Sequence, residues 1–236
     1  FVAGWPVWAG LAAALAVGIA GGLFNGILVA VIGILPFVAT LGTLTVFSGL
    51  AFLVGGGATI FGRDIPEGFS GFARGGLALG EVRLPFLTLL AGAVILICWF
   101  LLEKTVFGRR LYAIGGNAEA AHLAGIKVAR MRIAAFALTG LGAAGAGLMI
   151  AARVASANPI QGAGLMLDAI AAVFLGMTMD RGGEPRVLYT LVGVAMLGLL
   201  DNGLTQMRVD SYVREVLVGL IVIGAVAVAA WSKRRA

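Results

Sequence analysis

Long apolar runs dominate this chain of 236 residues and restrict it to a membrane fold. A helix of about 20 residues crosses a hydrocarbon core about 30 Å thick. Lipid offers backbone groups no hydrogen-bonding partner, so each run must be a helix or a strand of a closed barrel. The runs are continuously apolar, whereas barrel strands alternate in polarity, so the sequence predicts an all-α, polytopic transmembrane helical bundle. About seven spans are expected, one of them short or broken, at residues 8–33, 37–54, 85–102, 133–152, 165–179, 187–204 and 213–231.

The charged residues are few and lie in the loops beside these runs. They make up 12% of the chain, with a net charge of +6, whereas a soluble domain averages about 25% charged residues. A basic balance often indicates a nucleic-acid partner, but basic loops next to spans are what the positive-inside rule produces. We therefore expect membrane lipid around the chain and no nucleic-acid partner.

The two most basic segments set the predicted orientation of the spans. They are the loop at residues 104–132 and the C-terminal residues 233–235, and both are predicted to be cytoplasmic. An even number of crossings must separate two segments on the same side, so the run at 165–179 has to count as a real span. With seven crossings the chain then begins outside, and the loop at 55–84, whose charges cancel, is external.

Glycines spaced at helical intervals predict close helix contacts. Helices in lipid associate through small residues that let their backbones approach. Gly18, Gly22 and Gly26 share one stripe of the first span, and Ala143 and Gly147 share a stripe of the fourth. We predict that both stripes mark helix–helix contacts within the chain, while contact with a second copy remains the alternative.

The basic loop at residues 104–132 contains a short segment with the signals of a helix. Gly115 and Gly116 are predicted to break the chain, and Asn117 to cap the helix that follows. Gly125 is predicted to end it. Its alanines have little apolar bulk to immerse in lipid, which favours insertion into a groove of a partner protein over an amphipathic helix on the bilayer. The candidate docking residues are Gly116, Asn117, Glu119, Ala120, Ala121 and Gly125.

Polar residues within the apolar runs are candidates for a translocation path. Thr40 and Thr43 form a hydroxyl face of the second span, which either lines a path or bonds back to its own helix. Asp168 either lies on the path or meets the positive end of a helix dipole. Asn25 and Asn202 stand in similar glycine-containing segments at the far ends of two spans. These five residues are the predicted path positions.

Residues that carry catalysis or bind cofactors are scarce. The chain has one cysteine, Cys98, interpreted as a small buried apolar residue, and one histidine, His122, interpreted as a solvated surface residue. This excludes a multi-histidine metal site and a disulfide framework. Residues 57–64 imitate a phosphate loop, but an aspartate replaces its hydroxyl residue. We expect no catalytic residues, no metal and no cofactor.

Residues 107–128, FGRRLYAIGGNAEAAHLAGIKV, resemble the cytoplasmic loop of the permease subunits of ribose- and xylose-type ABC importers. The likeness covers essentially the whole chain. It departs at residues 182–186, GGEPR, where the family more often has a Gly-Gly-Arg-Gly-type turn. Other matching segments are LFNGILV at 23–29, FVATLGT at 37–43, LDAIAAVFLGMT at 167–178 and DNGL at 201–204.

The resemblance implies a sugar permease of a bacterial inner membrane. It implies ABC ATPase subunits below, a periplasmic sugar-binding protein above, and a second permease copy in a homo- or heterodimer. The loop at 104–132 would be the cytoplasmic coupling loop, with its coupling helix at 117–125 in the ATPase groove, and ATP hydrolysis would occur in the separate subunit. Residues 1–236 would form a single transmembrane permease domain, N-terminally truncated by roughly two spans.

A self-sufficient secondary transporter or channel for a small polar solute is the alternative function. Such a protein needs ion-coupling carboxylates in the middle of the membrane. Asp168 is the only obvious one within the apolar runs, which counts against this alternative.

Overall fold

The computed structural model describes residues 6–61, 66–79, 82–180 and 182–210, and then 212–213, 216–217, 219–221, 223–224 and 227. The chain divides into two compact units, residues 1–161 and 162–236. In the first unit the elements are α1 (Val7–Ile27), α2 (Pro36–Gly55), α3 (Glu67–Arg74), β1 (Gly76–Leu79), β2 (Val82–Pro85), α4 (Phe86–Trp99), α5 (Val106–Gly116), α6 (Ala118–Leu123) and α7 (Val128–Val154). In the second unit they are α8 (Leu165–Met177) and α9 (Val187–Gln206).

Five helical segments among the described residues are long and apolar enough to cross a membrane. The all-α, polytopic character predicted from the sequence is therefore confirmed. The run at 165–179 corresponds to α8, whose 13 residues make it shorter than these five. Most of the run at 213–231, and residues 233–235, lie outside the described residues. The five segments are Val7–Ile32, Pro36–Gly55, Phe86–Lys104, Val128–Val154 and Val187–Gln206.

Two of the spans end in a π-helical turn. The helix α1 continues through Leu28–Ile32 and stops at Gly33, whose φ of +84° is a left-handed conformation that glycine adopts without strain. The helix α4 continues through Phe100–Lys104. The second turn matters for length, because it extends α4 from 14 residues to a helical segment of 19 residues, enough to cross a membrane.

The stripe of Gly18, Gly22 and Gly26 packs α1 against α7, as predicted. A Cβ on Gly18 would lie 2.5 Å from the Gly140 carbonyl oxygen, and one on Gly22 would overlap the Phe136 carbonyl oxygen. A Cβ on Gly26 would lie 2.9 Å from the Ile133 Cα. The partner residue number falls as the α1 number rises, so the two helices are antiparallel.

The predicted contact stripe on α7 is wrong in position. No atom lies within 4 Å of a Cβ built on Gly147, whereas Gly140 meets the α1 backbone directly. The contact face of α7 therefore runs through Phe136, Ala137, Gly140 and Ala144. Gly147 follows Gly140 by seven residues, or nearly two full turns, and therefore lies on almost the same side of α7. The close contact with α1 ends between Ala144 and Gly147.

In the second unit, α8 and α9 approach each other equally closely. A Cβ on Gly193 would overlap the Ala172 carbonyl oxygen, and one on Gly176 would lie 2.6 Å from the Tyr189 carbonyl oxygen. Ala171 and Ala172 are buried. Small side chains again set the helix distance, as expected where lipid supplies no hydrophobic driving force between helices.

The predicted external loop at residues 55–84 contains structure that the sequence reading missed. The strands β1 and β2 form an antiparallel hairpin in which Leu77 pairs with Leu84, and the Phe72 ring stacks on Phe86 at 5.3 Å between centroids. Ile60 and Ala157 exchange backbone hydrogen bonds of 2.9 and 3.0 Å. This bridge places the ends of α2 and α7 at the same end of the first unit.

Large apolar side chains of the described spans lie mostly on the surface of the chain. The buried apolar residues are mainly alanines. Cys98 is exposed, so its predicted burial is wrong: α4 has no buried residue and turns its apolar surface outward. An apolar outer surface over a core of small residues is the arrangement that lipid permits.

Candidate functional site

The joint between α4 and α5 positions the predicted coupling loop. The Thr105 hydroxyl donates to the Leu101 carbonyl at 2.5 Å and accepts from the Gly108 amide at 3.4 Å, which caps α5. A Cβ on Gly108 would overlap the Leu102 carbonyl oxygen. Only glycine therefore allows α5 to turn back this closely on the end of α4. The sequence reading missed both residues, although a threonine three positions before a glycine is an available N-cap signal.

The helix α6 has the two caps predicted for it. The Asn117 Oδ1 accepts hydrogen bonds from the Glu119 and Ala120 amides, both at 3.0 Å. At the other end Gly125 has φ +84°. The Gly125 amide donates to His122 and the Ile126 amide to Ala121, which together form a Schellman motif.

One part of the loop prediction is wrong. Gly115 and Gly116 do not break the chain but are the last two residues of α5. The chain direction changes at Asn117 instead, whose φ of −153° and ψ of 106° are extended. An N-cap residue adopts such angles because its side chain has to reach the free amides of the next turn.

The outward face of α6 differs from the predicted docking set. Ala121 is 5% exposed and packs against its own chain, so it supports the helix from within. Glu119 and Ala120 are exposed, as is His122. Leu123, which the sequence reading did not single out, is 82% exposed at the tip of the helix. The surface offered by α6 is therefore a leucine beside small and polar side chains.

The Asn117 cap leads to a prediction for Asn117→Ala. Losing the side-chain acceptor leaves two amides unsatisfied and costs about 1 kcal/mol, so α6 should open about fivefold more often. Hydrogen exchange of the amides in Ala118–Leu123 measures this opening. Asn117→Asp, which keeps an acceptor, is the control and should stay within about twofold of the unchanged protein. Equal exchange in Asn117→Ala and the unchanged protein would contradict the cap.

Two predicted path residues meet between α1 and α2. The Thr43 hydroxyl donates to Asn25 Oδ1 at 2.8 Å, and Thr43 is only 5% exposed. Asn25 lies one residue before the Gly26 contact with α7, so this polar interaction stands next to the close packing of α1 on α7. A buried polar group within a span is satisfied by such a bond, because lipid offers none.

The Thr40 hydroxyl bonds back to its own helix, which was the second of the two interpretations of the hydroxyl face. It donates to the Pro36 carbonyl at 2.9 Å and approaches the Phe37 carbonyl at 3.1 Å. Thr45 bonds back to Leu41 in the same way. These hydroxyls are satisfied within α2, while Thr43 alone among the three reaches a different helix in the described residues.

The two predicted path residues of the second unit, Asp168 and Asn202, are both exposed. Asp168 lies in the first turn of α8, near the positive end of its dipole. The Asn202 Oδ1 accepts from Gln206 Nε2 at 3.5 Å on α9. Within the described part of this unit, no hydrogen bond joins Asp168 to Asn202.

The turn between α8 and α9 is organised by Asp180, which the sequence reading missed. Its Oδ2 accepts from the Gly182 and Glu184 amides at 3.0 and 3.1 Å, and Arg186 Nε lies 3.4 Å from its Oδ1. This turn is where the sequence departs from the Gly-Gly-Arg-Gly-type pattern. An aspartate two residues before a glycine is the signal of such a turn.

The described residues contain five helices able to cross a membrane, and the basic loop holds α6, a short helix capped at both ends. These features define the class of multi-pass α-helical membrane proteins. The family of branched-chain amino acid transport system permease components matches residues 1–226. The chain belongs to this family. Its permease relatives are proteins of the inner membrane.

Individual relatives are permeases for sugars. The ribose import permease protein RbsC of Bacillus subtilis (strain 168) is 45% identical over 202 residues, which is 86% of this chain and 62% of that protein. The galactose/methyl galactoside import permease protein MglC of Haemophilus influenzae is 36% identical, over 94% of this chain and 67% of that protein. RbsC of Escherichia coli (strain K12) is 38% identical, over 92% and 67%.

The chain thus spans about three fifths to two thirds of the length of these relatives. No solved structure matches it significantly.

Proposed function

We propose that the chain is the transmembrane permease subunit of an ATP-driven ABC importer that moves a sugar or sugar-like solute across the bacterial inner membrane. Two observations support this function. The chain is similar over most of its length to proteins named as ribose and galactose import permeases. It also presents α6, a helix capped at both ends and largely exposed, at the most basic end of the first unit. The second observation carries the proposal, because a permease that powered itself would have no use for such a helix.

In this proposal α6 is the coupling helix, and residues 104–132 form the cytoplasmic coupling loop. Leu123, Ala120 and Glu119 enter a groove of the ATPase subunit, while Ala121 and the caps at Asn117 and Gly125 keep the helix rigid. Gly108 locks α5 to the end of α4. Closure of the ATPase subunits on ATP then moves α6 as a lever and tilts the spans attached to it. ATP hydrolysis itself occurs in the separate subunit.

The topology has seven crossings, with α8 as the short one and a last span at residues 213–231, and residues 1–236 form one permease domain. In this topology α1 crosses inward and α7 crosses outward, and the antiparallel contact of the two helices supports these opposite directions. The bridge between Ile60 and Ala157 joins the ends of α2 and α7 at the end of α7 opposite to α6. That end is external in this topology.

The solute path uses the polar residues of the spans. In the first unit Asn25 and Thr43 supply a paired amide and hydroxyl, with Thr40 one turn away on α2. In the second unit Asp168 and Asn202 present exposed polar groups. Hydroxyl and amide groups suit a sugar, because they exchange donors and acceptors with its hydroxyls.

The importer contains two further kinds of subunit beside the ATPases. A periplasmic sugar-binding protein delivers the solute at the external end, and a second permease copy, identical or related, completes the transmembrane part. The exposed apolar surfaces of the described spans are available to lipid and to that second copy.

The variant Leu123→Asp tests the coupling role. Burying leucine in a groove contributes about 1.5–3 kcal/mol, and an unpaired carboxylate in its place adds a desolvation cost. We expect the ATPase subunit retained on the purified permease to fall at least tenfold, with ATP-driven solute uptake lost in proteoliposomes. Leu77→Asp changes an exposed leucine of β1, outside the coupling loop, and should retain the ATPase.

Two results would overturn the proposal in different ways. Unchanged ATPase retention and uptake in Leu123→Asp would remove α6 from the coupling interface. Solute uptake by the permease in liposomes without any ATPase subunit would establish the secondary transporter instead.

A further inference from the structure

A cavity of about 410 Å³ opens beside the C-terminal cap of α6. Three of its six lining residues are cations: Arg110 from α5, Lys127 at the N-cap of α7, and Arg130 in the first turn of α7. Gly125 and Ile126, whose amides close the Schellman motif of α6, line it as well. The full lining is Arg110, Gly125, Ile126, Lys127, Arg130 and Met131.

The charge of this cavity is not neutralised within the described residues. No carboxylate in that part of the chain lies within 4.0 Å of Arg110, Lys127 or Arg130, since the described ion pairs involve only Arg186. Three like charges around one opening repel one another, so the arrangement favours an anion that contacts all three. A phosphate group, with several charged oxygens, satisfies three such donors at once.

The depth of the cavity relative to the bilayer selects the source of the phosphate. The helix α7 has 27 residues and is about 40 Å long, so about 10 Å of it extends beyond a hydrocarbon core of about 30 Å. Its uncharged part starts at Ile133, three residues after Arg130, which puts Arg130 about 5 Å outside the core. Phospholipid headgroups occupy this layer.

The end of the α4 crossing, which leads into α5, has the side chains of a membrane interface. Lys104 Nζ lies 5.0 Å from the centroid of the Trp99 ring at the end of the α4 crossing. Tryptophan and lysine side chains with this arrangement are typical of the membrane interface. The cavity also has an apolar side, formed by Ile126 and Met131. An apolar wall suits the glycerol and first acyl carbons of a lipid better than a free, fully hydrated phosphate.

We propose that this cavity binds the phosphate headgroup of an anionic glycerophospholipid. The site needs only its location at the membrane interface, and its assignment to the cytoplasmic leaflet rests on the proposed function. A headgroup held by Arg110, Lys127 and Arg130 joins α5 to the start of α7 and contacts the residues that end α6. Lipid binding therefore fixes the orientation of α6 relative to the spans.

The experiment uses the complete permease purified in detergent, with dioctanoyl phosphatidylglycerol as the probe and calorimetry as the readout. Each cation next to an anionic headgroup contributes about 1 kcal/mol, so Arg130→Gln should weaken binding about fivefold. The variant Arg110→Gln/Lys127→Gln should weaken it about 25-fold. The matched control, Arg109→Gln/Arg132→Gln, removes two cations of the same loop that do not line the cavity and should change binding less than twofold.

Further probes distinguish the sources of the anion. Dioctanoyl phosphatidylcholine, whose headgroup is neutral overall, should bind at least tenfold more weakly. Equal binding of glycerol 3-phosphate would assign the cavity to a free phosphate compound and overturn the lipid assignment. An equal loss in the control variant would reduce the effect to general surface attraction.

A last arm separates this proposal from the coupling role of α6. Loss of ATPase retention in Arg110→Gln/Lys127→Gln, with lipid affinity unchanged, would assign the cavity to a carboxylate of the ATPase and overturn the lipid site. Conversely, Leu123→Asp should leave lipid affinity within twofold, because Leu123 does not line the cavity. If the coupling proposal fails, the lipid-binding measurement therefore still tests the lipid site. If the lipid site fails, the ATPase-retention measurement still tests the coupling role of α6.

Discussion

Gly22→Ala is expected to lower the free energy of unfolding by about 3 kcal/mol, the upper end for overpacking a closely packed contact. The added methyl group would overlap the Phe136 carbonyl oxygen and lie 2.9 Å from the Ala137 Cα. Both atoms belong to the backbone of α7, which cannot move aside as a flexible side chain does. The helices would have to separate along the whole stripe, which also loses the contacts at Gly18 and Gly26.

This effect is measured by titrating the complete permease from a mild detergent into a denaturing one and following helix content. Gly142→Ala provides the matched control, because it makes the same substitution in α7 where no atom lies within 4 Å of the new carbon. Alanine has a higher helix propensity than glycine by about 1 kcal/mol, so the control should be neutral or stabilising. A Gly22→Ala protein as stable as the control would show that α1 and α7 do not touch here.

Gly108→Ala is expected to abolish coupling while leaving the spans folded. Its methyl group would overlap the Leu102 carbonyl oxygen, so α5 would have to swing away from the end of α4. The swing also breaks the bond between the Thr105 hydroxyl and the Gly108 amide. Because α6 follows α5 directly, a shift of about 1 Å at this joint misplaces the docking surface and should cost roughly 100-fold in ATP-driven uptake.

Uptake in proteoliposomes and ATPase activity, measured on the assembled importer, test this expectation. The control is Gly115→Ala, a substitution in the same helix at a position with open space around it, and it should retain at least half of the uptake. Should Gly108→Ala transport normally, the close joint between α4 and α5 would have no part in coupling.

The positions of the spans were predictable because each depends on local composition. Runs of about 20 apolar residues have one stable backbone conformation in lipid, so the runs at 8–33 and 187–204 became helices with nearly the predicted bounds. The caps of α6 were predictable for a related reason. Asn117 and Gly125 act on amides and carbonyls within five residues of themselves.

The misses have separate causes. The hairpin of β1 and β2 was missed because its strands have only four residues each, too few for an alternating pattern to be read. Cys98 was expected to be buried because a free cysteine is usually a small buried apolar residue, but α4 has no buried residue. Asp180 was overlooked although Gly182, two residues later, is the local signal of its turn; its contact with Arg186 appears only in the structure.

Hydropathy and backbone hydrogen bonding, both local properties, are enough to establish that this chain is a helical membrane protein with a short capped helix in its basic loop. Tertiary contacts alone determined which small residues of α7 pack against α1, and that Asn25 bonds to Thr43. They also determined that Leu123 is exposed while Ala121 is buried, and that Arg110 and Arg130 line the same cavity. The physical reason is distance along the chain. A side chain or a Cα meets its partner 18 to 126 residues away only after the helices have packed.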